Sequence, residues 1–174
     1  MTCLVIACSL NPESRSRVLA QAAHDSLKEL GARTEWMDLA DYSIPLCDGK
    51  SAYEDPQVKE IASRIQEAEG ILLAVPIYNY DVNAAAKNLV ELTGSGWEGK
   101  TVGFLCAAGG QGSYMSVMSL ANSLMLDYRC LIVPRFVYAT GEAFSDGKIT
   151  DPEVRKRVAD LAKELDRLCR ALRM

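Results

Sequence analysis

Short, nearly continuous apolar runs recur along the chain, and each gives way to a segment whose apolar positions return every three or four residues. "TCLVIAC" at 2–8, "GILLAVPIY" at 70–78 and "KTVGFLCAA" at 100–108 read as strands buried on both faces. "TEWMDL" at 34–39 alternates and suits a sheet edge. "RCLIVPRFVYA" at 129–139 is a fifth strand, and its Pro134, with no N–H to donate, predicts an edge, a bulge or an early end. The helical period is clearest from Ser14 to Gly31, where Val18, Leu19, Ala22, Leu27 and Leu30 share a face. Further helices are predicted from Pro56 to about Glu69, from Val82 to Thr93, from Tyr114 to Leu126, and from about Asp151 to the C-terminus. This alternation predicts one α/β domain over residues 1–174, a three-layer sandwich around a five-stranded parallel sheet of order 2-1-3-4-5.

In a doubly wound sheet, ligands lie at the carboxyl ends of the strands, where the winding reverses. That order brings together three loops: "SLNPESRS" at 9–16, "PIYNYDVN" at 76–83 and "AAGGQGSY" at 107–114. The first crowds Ser9, Asn11, Ser14, Arg15 and Ser16 around the start of a helix. A helix N-cap needs one such side chain. Three hydroxyls, an amide and a guanidinium at a helix N-terminus suit a phosphate monoester, a dianion with three acceptor oxygens. Arg17, one turn on, is expected to be solvated. The turn lacks the G-x-G-x-x-G of dinucleotide folds, whose glycines admit a pyrophosphate. In the second loop Pro76 stiffens the backbone, and Tyr78 or Tyr80 can lie beside a flat ring. Gly109, Gly110 and Gly112 of the third let backbone approach a planar ligand. One phosphate at one end and a planar heterocycle at the other describe FMN.

A literal P-loop pattern, "GSGWEGKT" at 94–101, carries no such meaning. A working P-loop follows a strand and opens a helix, whereas this one follows a helix and opens a strand. The net charge of −4 argues against nucleic-acid or anionic-membrane partners, and no apolar run approaches the ~18 residues of a membrane span. A cytoplasmic protein is the expectation. The six cysteines form no C-x-x-C, and most fall in apolar runs, where the thiol acts as a small hydrophobe. With His24 as the single histidine, neither a zinc site nor a Ser-His-Asp scheme is expected.

The chain resembles the NAD(P)H-dependent FMN reductases of flavodoxin-like fold, in the branch that includes the reductase components of alkanesulfonate monooxygenases. The resemblance covers roughly the first 140 residues and rests on "SLNPESRSRVLAQAA", "VPIYNYDVNAAAKNLVELTGSGWEGKTV" and "AAGGQGSYMS". It departs from the common pattern at Asn11, where relatives often carry Arg, and at Ile77, where they often carry Glu. It implies that Ser9, Asn11, Ser14, Arg15 and Ser16 hold the phosphate, and that Pro76, Ile77, Tyr78 and Asn79 lie along the isoalloxazine. Gly109, Gly110, Gln111, Gly112 and Ser113 would line its other side. The implied reaction takes a hydride from NADPH or NADH to FMN and passes electrons to free flavin, a quinone, an azo compound or a metal ion. No side chain is assigned as acid or base. A homodimer or homotetramer is implied as well, with a neighbouring subunit covering the flavin. The alternatives are a flavodoxin-type electron carrier and a flavin-binding protein without turnover.

Overall fold

The computed structural model describes residues 2–172. Strands β1 (Thr2–Ala7), β2 (Arg33–Asp38), β3 (Gly70–Tyr78) and β5 (Thr101–Ala108) alternate with helices α1 (Arg15–Glu29), α2 (Pro56–Glu67) and α3 (Ala84–Thr93). Beyond them come α4 (Met118–Tyr128), the short strands β6 (Leu131–Ile132) and β7 (Val137–Thr140), and α5 (Pro152–Leu172). The sheet runs β2-β1-β3-β5, with β6 and β7 both parallel to β5 on its far side. This is the expected winding, and the fold is flavodoxin-like.

The expected fifth strand is present in two pieces. Thr101 pairs with Leu131 and Leu105 with Val137, so the register slips by two residues between the halves. Pro134 cannot donate to the ladder and Arg135 takes φ +61°, which loops the chain out at that point. Two small hairpins also escaped the periodicity. β4 (Asp81–Val82) folds back antiparallel on the end of β3, which delays α3 to Ala84. In the loop after β7, β8 (Phe144–Ser145) pairs with β9 (Lys148–Ile149). The helix expected from Tyr114 starts later as well. Residues 111–117 form a 3-10 turn broken at Ser113, and regular α-helix begins at Met118.

Alternation within the buried strands sends side chains into two cores. Leu4, Ile6, Leu73, Val75 and Phe104 pack beneath α2, α3 and α4, while Val5, Leu72, Ala74 and Leu105 pack beneath α1 and α5. A strand buried on both faces has no polar side to present, hence its continuous apolar run. Five of the six cysteines are buried and Cys47 is half-buried, all as free thiols. Among the described residues, no helix is long and apolar enough to cross a membrane.

Candidate functional site

The carboxyl ends of β1, β3 and β5 open onto a cleft of about 910 Å³. Asn11, Glu13, Ser14 and Arg15 line one end of it; Pro76, Ile77, Tyr78, Asn79 and Tyr80 supply one wall; Ala107, Ala108, Gly109, Gly110, Gly112 and Ser113 supply another.

The first loop is built by its own polar side chains. Ser9 Oγ accepts from the Asn11 N–H at 3.2 Å, and Asn11 Oδ1 accepts from the Glu13 N–H at 3.0 Å. Ser14 is the N-cap of α1, accepting from the Ser16 N–H at 3.3 Å, and its hydroxyl lies 2.7 Å from that of Ser16. Ser9 and Ser16 are almost wholly buried and lie outside the cleft lining, so their hydroxyls shape the turn from beneath. Arg15 is exposed and makes no ion pair among the described residues. A Cβ placed on Gly141, in the turn after β7, would stand 2.9 Å from an Arg15 terminal nitrogen.

Arg17 is not the solvated residue expected. Its guanidinium donates to the Pro12 carbonyl at 2.9 Å and pairs at 2.5 Å with Asp38, which is buried at the end of β2. Those contacts brace the first loop against the sheet edge. A second brace comes from Asn83, ahead of α3, whose amide donates to the Cys8 carbonyl at 2.7 Å.

The glycine loop is held from below by Tyr138 of β7. Its hydroxyl donates to the Gly110 carbonyl and lies 2.7 Å from the Ser113 hydroxyl. Drawn toward β7 in this way, Ser113 interrupts the helical geometry of its segment. A Cβ added to Gly109 or Gly110 would meet nothing within 4 Å, so that backbone faces open space. Gln111 is exposed and lies outside the lining. Cys8, just after β1, and Cys106, within β5, are fully buried, and burial pushes both thiols far above their ordinary value. They are protonated packing groups, not nucleophiles.

Local pattern reading missed Glu13, Ala107 and Ala108 in the lining and weighed Tyr80 only as an alternative to Tyr78. It also missed Arg17, Asp38, Asn83, Tyr138 and Gly141, all of which act through a partner distant in sequence. The doubled polar residues of "PESRSR" were the one available sign that some of them had structural work.

The residues present fit FMN. An unpaired guanidinium beside a capped helix N-terminus suits a phosphate dianion. The exposed backbone of Gly109 and Gly110, where an added Cβ would meet nothing within 4 Å, leaves room for a flat ring to approach. Fold and cleft together define a flavodoxin-like flavoprotein. A family model described as NADPH-dependent FMN reductase matches residues 1–145. Over 133 residues the chain is 29% identical to an NAD(P)H-dependent FAD/FMN reductase of Geobacillus thermodenitrificans, covering 74% of this chain and 71% of that one. It is 26% identical over 153 residues to an NADPH azoreductase of a Bacillus species, covering 87% and 83%. Among solved structures, a flavoenzyme NAD(P)H:(acceptor) oxidoreductase from Paracoccus denitrificans superposes with TM-score 0.75 at 19% identity, over 95% of this chain and 97% of that one. The chain belongs to the NADPH-dependent FMN reductase family. It is an oxidoreductase that uses FMN with a nicotinamide donor.

Proposed function

We propose that this protein reduces a small-molecule acceptor (free flavin, a quinone, an azo compound or a metal ion) at the expense of NADPH or NADH. The observation that carries this reading is the pairing of Arg15, without an ion pair among the described residues, at one end of the cleft with bare glycine backbone along one of its walls. Ser14, Arg15 and Asn11 would hold the phosphate. Arg15 would contribute charge-assisted bonds, and the α1 N-terminus its dipole. Pro76, Ile77, Tyr78 and Asn79 would support one face of the ring system, and the backbone of Gly109, Gly110 and Gly112 would approach its polar edge. FMN, when bound, would supply the redox chemistry, hydride acceptance from a nicotinamide. The chain's own part is to orient the two rings, so no acid or base is assigned among its side chains.

A second copy of the chain would cover the open side, as homodimer or homotetramer. Exposed Tyr114, Met115, Met118 and Leu126, beside the glycine loop and along α4, support that reading. The free thiols suit a reducing compartment, and we place the reaction in the cytoplasm. Anaerobic stopped-flow mixing of FMN-loaded protein with NADPH, then NADH, tests the core of the proposal. Rapid two-electron bleaching is expected. Binding without bleaching would favour an electron carrier, and failure to bind FMN would overturn the reading.

A further inference from the structure

Tyr80 stands where a glycine is expected. Asn79 and Tyr80 alone join β3 to β4, and both take positive φ, +51° and +64°. A two-residue hairpin turn with that backbone favours Asn followed by Gly, because an ordinary Cβ at positive φ crowds a neighbouring carbonyl. Among the described residues, the other two-residue hairpin turn follows that rule: between β8 and β9, Asp146 and Gly147 take φ +49° and +70°. Tyr80 breaks it, and burial does not compensate, since the residue is 73% exposed. Its hydroxyl instead reaches the opposite wall of the cleft, where a Cβ on Gly112 would stand 3.3 Å away. The hairpin beneath is anchored: Asp81 Oδ1 accepts from the Val82 N–H at 2.7 Å and from the Ser119 hydroxyl of α4 at 2.6 Å.

We infer that Tyr80 is a specificity-determining residue, an aromatic ring fixed by a strained turn at the mouth of the cleft as the stacking wall for a planar electron acceptor. Backbone strain kept at a cleft, with no packing return, belongs with function. The ring spans between the second and third loops, so a flat molecule entering over the cofactor passes its face. A compact acceptor without an aromatic plane gains nothing from it. The inference rests on the FMN reductase reading above.

The test compares wild type with Tyr80→Gly and Tyr80→Phe at saturating FMN and NADPH. Two acceptors are used, a planar quinone and ferricyanide. Tyr80→Gly is expected to lower the quinone-to-ferricyanide ratio of kcat/KM about three- to tenfold, the scale of one aromatic stacking contact. It should also raise the thermal midpoint of the protein without added flavin by about 2–4 °C, as the turn relaxes. Tyr80→Phe, which keeps ring and strain, should retain both wild-type values. An unchanged ratio in Tyr80→Gly, or a lowered midpoint, overturns the inference while leaving the reductase reading intact. So does a change in sedimentation of Tyr80→Gly, which would place the ring in a subunit contact. A wild type that neither bleaches nor turns over removes the reductase reading itself, and the inference with it.

Discussion

The guanidinium of Arg15 occupies the space that a side chain on Gly141 would need, with a terminal nitrogen 2.9 Å and the central carbon 3.1 Å from where that Cβ would stand. The two residues lie far apart in sequence, one opening α1 and one following β7. Gly141 is not among the positive-φ glycines, so its backbone would accept alanine, and what calls for glycine is the guanidinium. Gly141→Ala should leave the thermal midpoint within about a degree and weaken FMN by displacing Arg15. Arg15→Ala should raise the FMN Kd about 10- to 100-fold, the scale of lost hydrogen bonds to a charged group. Riboflavin, without a phosphate, should shift little in either variant. Flavin fluorescence quenching measures all four constants, and equal losses for FMN and riboflavin would refute the phosphate assignment.

Arg17 and Asp38 should behave as a coupled pair that stabilises the same loop. Asp38→Ala leaves a half-buried guanidinium without its counter-ion, a loss of about 1–3 kcal/mol. Arg17→Ala removes the donor to the Pro12 carbonyl as well. A double-mutant cycle in urea should give a coupling of about 1 kcal/mol or more. Strict additivity would mean the two side chains act independently. Both variants are also expected to weaken FMN, since the loop that carries Ser14 and Arg15 loses its tie to β2.

Tyr138→Phe tests the support of the glycine loop. The Gly110 carbonyl is exposed enough to find water, so the stability cost should be about 1 kcal/mol. The larger effect should be local. Amide exchange across residues 109–117 is expected to accelerate, because the hydroxyl that holds Gly110 and Ser113 is gone. Exchange rates equal to wild type would show that the loop holds its shape without Tyr138.

The parts of this architecture readable in the chain were those written in local periodicity. Buried strands declare themselves by continuous apolar runs, and their order followed from the alternation with helices. The first loop's place at the cleft was legible from its position after β1, but most of its polar side chains build the turn itself. Ser9, Asn11, Ser14 and Ser16 all hydrogen-bond within it, and Arg15 alone is left exposed without an ion pair among the described residues. What escaped depends on register between distant segments. Nothing near Tyr138 signals that it meets Gly110, and nothing near Gly141 signals Arg15, because which residues meet is decided by how β7 aligns with β5. Pro134 announced a disturbance in the last strand but not its size, a slip of two residues. Arg17 read as solvated because its partner, Asp38, ends a strand formed later in the chain.

The cysteines yield an expectation about alkaline pH. Burial pushes the Cys3 thiol from 9.0 to about 12 and Cys130 to about 11, and it raises Cys8, Cys106 and Cys169 as well. Unfolded thiols ionise near 9.0, whereas the folded ones keep their protons well above that. Between those limits the native state binds more protons than the unfolded state, so stability falls as pH rises. This contribution is complete below pH 9.0 and is lost as the pH climbs through about 11 and about 12. Lys100, lowered by burial, acts in the opposite sense, but as one group against five thiols. Urea midpoints should therefore decline steadily above pH 9.0, and Cys130→Ala should flatten the decline. Alkylation supplies an independent check. At pH about 8 the folded protein should take up one label, at half-buried Cys47, and six only after unfolding. Rapid native labelling of Cys8 or Cys106 would mean that the core they belong to opens to solvent, and both would then have to be reconsidered as reactive groups.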